Sequence, residues 1–171
     1  MPSPVTGKVR ILFLDVDGTL TDGGIGWDTR GDQRNFFVRD GIALDWAREL
    51  GLLPVVISGR DSAAVQGRMA DLKLEHYLGI KDKVAVADEV RAREEVLWTA
   101  CAAVGDDLPD VPLLKRVGWP IAVADAVPEV RAVARTTTVH DAGRGAVREV
   151  VEMLLRHNGT WEQVLKKYEA L

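Results

Sequence analysis

The sequence predicts an α/β fold, a Rossmann-like doubly wound parallel sheet with a β-hairpin flap after its first strand. Short apolar runs alternate with amphipathic stretches, the βαβα pattern of strands connected by helices on both faces. The runs are apolar almost throughout, with no polar alternation, which suits strands buried on both sides.

The first run, Ile11, Leu12, Phe13 and Leu14, is short and rich in β-formers, and it ends in Asp15, Asp17 and a glycine turn. Residues 23–37 contain two β-prone pieces around the TRGDQ turn, hence the hairpin. Gly41 to Glu49 has helical spacing through Ile42, Leu44, Trp46 and Ala47. Leu53 to Ile57 is the second strand; SGRD follows it, with Asp61 a candidate N-cap for a helix from Ser62 to Leu72. His76, Tyr77 and Leu78 make a short third strand. Lys83 to Arg93 is helical, and Trp98 to Val104 is a fourth strand running into GDDLPD. A helix around Leu113 to Val117 precedes a fifth strand from Pro120 to Ala124. GRGAVREVVEMLLRHNG is the last helix, stopped by Gly159, and residues 158–171 form a short polar tail.

With 171 residues, 47% of them hydrophobic, the chain can bury a substantial core and reads most simply as one domain, residues 1–171. The formal charge of −4 is mild and its signs are interspersed, which argues against nucleic acid and anionic membrane as partners. Cys101, the one cysteine, allows no intramolecular disulfide and reads as a small core residue in a reducing compartment. MPSPVTGKV lacks the apolar core of a signal peptide, and no apolar run approaches the ~18 residues that cross a bilayer. A cytoplasmic location is expected.

Four features carry chemistry. Asp15 and Asp17, one residue apart at a strand end, repel unless a cation neutralises them, and Mg²⁺ prefers such oxygen ligands. Asp15 could then attack phosphorus and Asp17 protonate the leaving alkoxide, although a turn with an Asx cap is a rival reading. Ser58 places a hydroxyl where a strand gives way to a helix, as a phosphate donor or an ordinary N-terminal turn. Lys83, at a helix start, opposes the helix dipole and so suggests an anion partner, with Lys81 a competitor on spacing and a solvated lysine the plain alternative. Asp106, Asp107 and Asp110 crowd the mouth of a buried strand, where a divalent cation offsets their repulsion; an acidic loop capping a helix is the rival. Independent plain explanations would have to coincide at four strand ends.

This order of motifs resembles the haloacid dehalogenase superfamily of phosphotransferases, through DVDGT from Asp15, Ser58 in ISGR, Lys83, and GDDLPD from Gly105. The resemblance implies Asp15 as nucleophile, Asp17 as general acid/base, and Ser58 and Lys83 in the catalytic set. It implies Mg²⁺ held by Asp15, the backbone carbonyl of Asp17, and Asp106, with Asp107 and Asp110 in support. An aspartate at position 17, where ion-pumping members have threonine, implies a phosphatase. The intervals after Asp17 and after Ser58 are too short for the cap domain that members usually insert. Within this capless branch the chain resembles the family of 3-deoxy-D-manno-octulosonate 8-phosphate phosphatases through the hairpin, Phe37 to Gly41, Arg60, Arg68, the interval to Lys83, and GRGAVRE from Gly143.

That family implies a homotetramer in which the hairpin and tail help to close a neighbour's site. It implies substrate contacts at Asp17, Phe37, Val38, Arg39, Asp40, Gly41, Arg60, Arg68 and Lys83, and a small sugar-acid phosphate as substrate. Relatives acting on nine-carbon keto-acid phosphates carry acidic residues at the places of Arg60 and Arg144, so the eight-carbon ester is expected. A nine-carbon ester is the runner-up, and a non-catalytic oligomerisation module the third reading. Asp45, Leu78, Ala142 and Ser58 depart from frequent family residues; the serine keeps the hydroxyl.

Overall fold

The computed structural model describes residue 5 and residues 7–171. Residues 1–4 and 6, in the stretch expected to lack a signal-type core, lie outside the described residues. The strands are β1 Ile11–Leu14, β2 Gly26–Asp28, β3 Gly31–Gln33, β4 Leu53–Ile57, β5 Glu75–Tyr77, β6 Cys101–Gly105, β7 Trp119–Ala122 and β8 Thr136–Thr137. The helices are α1 Val38–Glu49, α2 Ala63–Asp71, α3 Lys83–Arg93, α4 Val111–Leu114, α5 Pro128–Val133, α6 Ala146–His157 and α7 Trp161–Lys167.

Six of the strands make one parallel sheet in the order β5-β4-β1-β6-β7-β8, and β2 and β3 pair separately as the antiparallel hairpin. All four residues of β1 are buried, between β4 (Ile11 opposite Leu53) and β6 (Ile11 opposite Cys101). Strand order reverses beside β1, so a crevice opens outside the carboxyl ends of β1 and β6. That topology delivers Asp15 and Asp106 to one place.

Helices α1 and α6 pack together, while α3, α4 and α5 succeed one another as neighbours. The buried stripe of α6, from Ala146 and Val147 through Val150, Val151, Leu154 and Leu155, has the 3.6-residue period. Asn158 pins the end of α6 to the start of β1: its Oδ1 accepts from Val9 N–H at 2.9 Å and its Nδ2 donates to Val9 O at 2.8 Å. At the other end of α6, Asp40 of α1 accepts from Arg148 N–H at 2.8 Å and so caps the helix from outside. Among the described residues no helix is long and apolar enough to cross a membrane. Cys101 is free and buried in β6, and burial pushes its thiol up to about 12.

Several boundaries differ from those expected. Trp98–Ala100 is a tight helical turn and the fourth sheet strand begins at Cys101, because pairing with β1 sets its register. Helix α4 begins at Val111, earlier than Leu113, and α1 begins at Val38, so Phe37 to Gly41 is mostly its first turn. The cap of α2 is Ser62, whose Oγ accepts from Val65 N–H at 3.3 Å, in place of Asp61. The third and fifth sheet strands run Glu75–Tyr77 and Trp119–Ala122, one residue earlier at their starts, and α5 and β8 add a further unit. The polar tail contains α7, whose Trp161 and Val164 are buried.

Candidate active site

Beyond β1 the chain makes one wide turn, closed by Thr21 N–H donating to Val16 O at 3.1 Å. Gly18 has φ +90°, and a Cβ there would collide with the Asp106 carboxylate, so glycine is required both for the turn and for the close approach of the two loops. Asp15 points inward, with its side chain 11% exposed. Asp17 points the other way, toward the hairpin.

Lys83 is buried at the first position of α3, a helix capped by Asp82 accepting from Ala85 N–H at 3.0 Å. Its ammonium donates to Asp15 Oδ1 at 2.5 Å and to Asp110 Oδ1 at 2.6 Å. The second oxygen of Asp110 accepts from Asp106 N–H at 3.0 Å, which fixes the loop after β6. Asp107 turns outward and caps the short turn Leu108–Asp110. Lys81 lines the same cavity but is exposed, so the lysine that meets the carboxylates is Lys83.

Ser58, at the end of β4, is buried and accepts from Arg60 N–H at 3.2 Å. Asp15, Asp17, Ser58, Arg60, Lys83 and Asp106 thus line a single cavity of about 590 Å³ at the carboxyl edge of the sheet.

Charge in this cavity is out of balance. Burial, reinforced by the charges of Asp15, Asp110 and Asp107, pushes Asp106 up to about 7. Burial likewise lifts Asp15 to about 6 against the pull of Lys83. Burial opposes the charge of Lys83, but Asp15 and Asp110 outweigh it and raise its pKa. One ammonium among three carboxylates leaves a surplus of negative charge, which a divalent cation suits. Asp15, Asp106 and Asp110 each offer an oxygen, all within 4.8 Å of one another. Both oxygens of Asp110 are already engaged, so Asp15 and Asp106 have more capacity left for a cation.

The other expected substrate contacts stand elsewhere in the chain. Arg68, on α2, pairs with Asp71 at 2.7 Å and lies beside the Phe36 ring; a Cβ on Gly41 would sit 2.6 Å from its Nη2. Phe37 and Arg39 line a separate cavity of about 330 Å³ with His140, Arg144 and Arg148. Val38 is 68% exposed, whereas Asp40 is buried beneath α6. Only Arg60 of the two specificity arginines reaches the carboxylate cavity, with its Nε 3.4 Å from Asp17 Oδ2.

Sequence reasoning missed Arg34. Its side chain is fully buried and forks onto Asp17, Nε to Oδ1 at 2.5 Å and Nη2 to Oδ2 at 3.2 Å, while Nη1 meets Asp32 and, at 2.9 Å, Ser62 Oγ. Nothing in TRGDQR marks this arginine out from an exposed one.

Residues 80–150 match the haloacid dehalogenase-like hydrolase family. The chain is 37% identical over 158 residues to the 3-deoxy-D-manno-octulosonate 8-phosphate phosphatase KdsC of Escherichia coli K12, covering 91% of this chain and 84% of that protein. Among solved structures it is similar to the corresponding phosphatase of Moraxella catarrhalis in complex with magnesium, phosphate and KDO, with a TM-score of 0.90, 31% identity, and 94% and 93% of the two chains covered. The cobalt-bound enzyme of Haemophilus influenzae is similar at a TM-score of 0.86 and 32% identity, over 90% and 91% of the two chains.

Proposed function

The chain belongs to the 3-deoxy-D-manno-octulosonate 8-phosphate phosphatase family of haloacid dehalogenase-like hydrolases, and from that premise we propose that it hydrolyses this ester to the free sugar acid and phosphate. The observation that carries the reading is the Lys83 ammonium held between Asp15 and Asp110 at the mouth of the central strand, with Asp106 alongside.

Mg²⁺ is the proposed cofactor, held by Asp15, the Asp17 backbone carbonyl and Asp106; when bound it offsets their charge and that of the phosphate. Asp15 attacks phosphorus in line, forming a carboxylate–phosphorus bond as the bond to the sugar oxygen breaks. Asp17 gives its proton to the departing alkoxide. It takes a proton from the water that then hydrolyses the aspartyl-phosphate and restores Asp15. Lys83 favours the anionic, nucleophilic form of Asp15. Ser58 Oγ already accepts from Arg60 N–H, which leaves its own proton for a phosphate oxygen.

The sugar acid falls to Arg60, Arg68 and the segment Phe37 to Gly41, since a guanidinium fork suits a carboxylate. Arg68 and that segment lie outside the carboxylate cavity of their own chain, which supports a homotetramer in which they serve a neighbour. Trp27, 75% exposed on the hairpin, supplies an apolar contact for such a neighbour. The tail supports this less, because α7 is docked on its own chain through Trp46, Trp161 and Tyr168. A cytoplasmic location completes the reading, supported by the free, buried Cys101.

The test compares kcat/KM for eight-carbon and nine-carbon keto-acid phosphates and a hexose phosphate. The eight-carbon ester is expected to lead; a lead for either other ester overturns the substrate. A fully active monomer on gel filtration overturns closure by a neighbour.

A further inference from the structure

We infer that Arg34 is a positioning residue for the reaction, tying the attitude of the hairpin to that of Asp17. The inference rests on Asp17 being the acid/base of the proposed reaction. Arg34 follows directly on β3, so its backbone moves with the hairpin, yet its guanidinium is fully buried and covers both oxygens of Asp17. Such a two-donor fork fixes the plane of a carboxylate, which a single ammonium does not, and it still leaves one lone pair on each oxygen for the proton that Asp17 carries. The fork is itself anchored on both sides, by Asp32 from the hairpin and by Ser62 Oγ at 2.9 Å from the cap of α2. Asp17 needs such help. Its backbone leaves the helical turn at φ −75°, ψ 109°, and its side chain remains 22% exposed at the cavity rim. The neighbouring Arg60 is a looser partner, 62% exposed and 3.4 Å away.

An acid/base must meet the leaving oxygen within a narrow range of distance and angle, and small misplacements are costly. Arg34 therefore matters where the leaving group needs a proton. A sugar alkoxide does, whereas p-nitrophenolate departs unaided.

The experiment measures the first-turnover rate of alcohol release from 3-deoxy-D-manno-octulosonate 8-phosphate and from p-nitrophenyl phosphate, with Mg²⁺ present, for the wild type, Arg34→Gln and Arg34→Lys. In Arg34→Gln the rate on the sugar ester is expected to fall about 10²-fold, toward the lower end of what a general acid contributes. The nitrophenyl rate should fall far less, and Arg34→Lys should recover part of the loss. Equal losses on both esters, or an unchanged sugar-ester rate, overturn the inference. Asp17→Asn is the reference: if it leaves the sugar-ester rate intact, the assignment of Asp17 fails instead. Should Arg34→Gln not fold, Asp32→Asn, which loosens the anchor without touching Asp17, must show the same selective loss in smaller degree; an equal or absent loss overturns the inference.

Discussion

The carboxylate cavity and the face around Phe37 to Gly41 are built on opposite plans. In the cavity, strand ends converge on a surplus of negative charge: Asp15, Asp106 and Asp110 share one ammonium. Around Phe37 to Gly41, polar groups are spent on the chain's own packing, with Asp40 capping α6 and Arg68 paired to Asp71. The first region is electrostatically unfinished and awaits a cation and a phosphate. The second is mostly satisfied within its own chain, although Asp40 Oδ2 and Arg68 Nε are buried without a hydrogen-bond partner and Val38 and Arg39 are exposed. On the proposed reading, the phosphate chemistry is assembled within the one chain, whereas recognition of the sugar would draw on the second region.

That contrast breaks most decisively at Asp15. Asp15→Asn is expected to abolish phosphate release from every ester while the protein stays folded, as read by a phosphate assay beside a thermal melt. Relief of like-charge repulsion should leave Tm unchanged or higher, and a collapse in Tm would mean that Asp15 is structural. Excess chelator is expected to abolish turnover equally, with recovery on adding Mg²⁺. Turnover that survives the chelator would dismiss the cation's role in the cavity.

The next largest effect tests the second region. Burial pushes Asp40 up to about 6, although Arg148 and Gly145 N–H groups pull it down. A carboxyl whose pKa is higher folded than unfolded makes the native state bind more protons between about pH 4 and 6, so its ionisation costs stability as pH rises through that window, by about 3 kcal/mol in all. Asp40→Asn keeps an oxygen for Arg148 N–H and removes the charge. Its stability relative to wild type should rise from pH 4 to pH 6 and then level off, in urea melts across that range. A flat difference would mean that Asp40 is not buried as an ionisable group.

The cavity was legible in the sequence because its residues sit at strand ends, where topology alone brings them together. Lys83 was read from its place at the start of a helix, and α3 has the expected bounds. What failed depended on tertiary pairing. Trp98, Thr99 and Ala100 look strand-like locally, but the register against β1 starts the strand at Cys101. Trp161 and Val164 lie three residues apart and mark a buried helix face, masked by the charges around them. Arg34 gave little local signal, since Asp32 beside it reads as an ordinary hairpin pair while Asp17 lies 17 residues behind and Ser62 28 ahead.

Arg60 gives the smallest effect and the sharpest division between the two regions, since it alone among the expected sugar-acid contacts other than Asp17 and Lys83 lines the carboxylate cavity. Its guanidinium leans on Asp17 at 3.4 Å and is mostly exposed, so a substrate carboxylate can draw it away at little cost. Arg60→Ala removes both contacts. Loss of the Asp17 contact affects any sugar phosphate alike, because each leaves as an alkoxide that needs a proton, whereas loss of a carboxylate partner affects only a keto-acid ester. The ratio of kcat/KM for the eight-carbon keto-acid phosphate to that for a hexose phosphate should therefore fall about tenfold, the value of one exposed charge-assisted hydrogen bond. An unchanged ratio would confine Arg60 to the phosphate end and leave recognition of the acid to the outward-facing region alone.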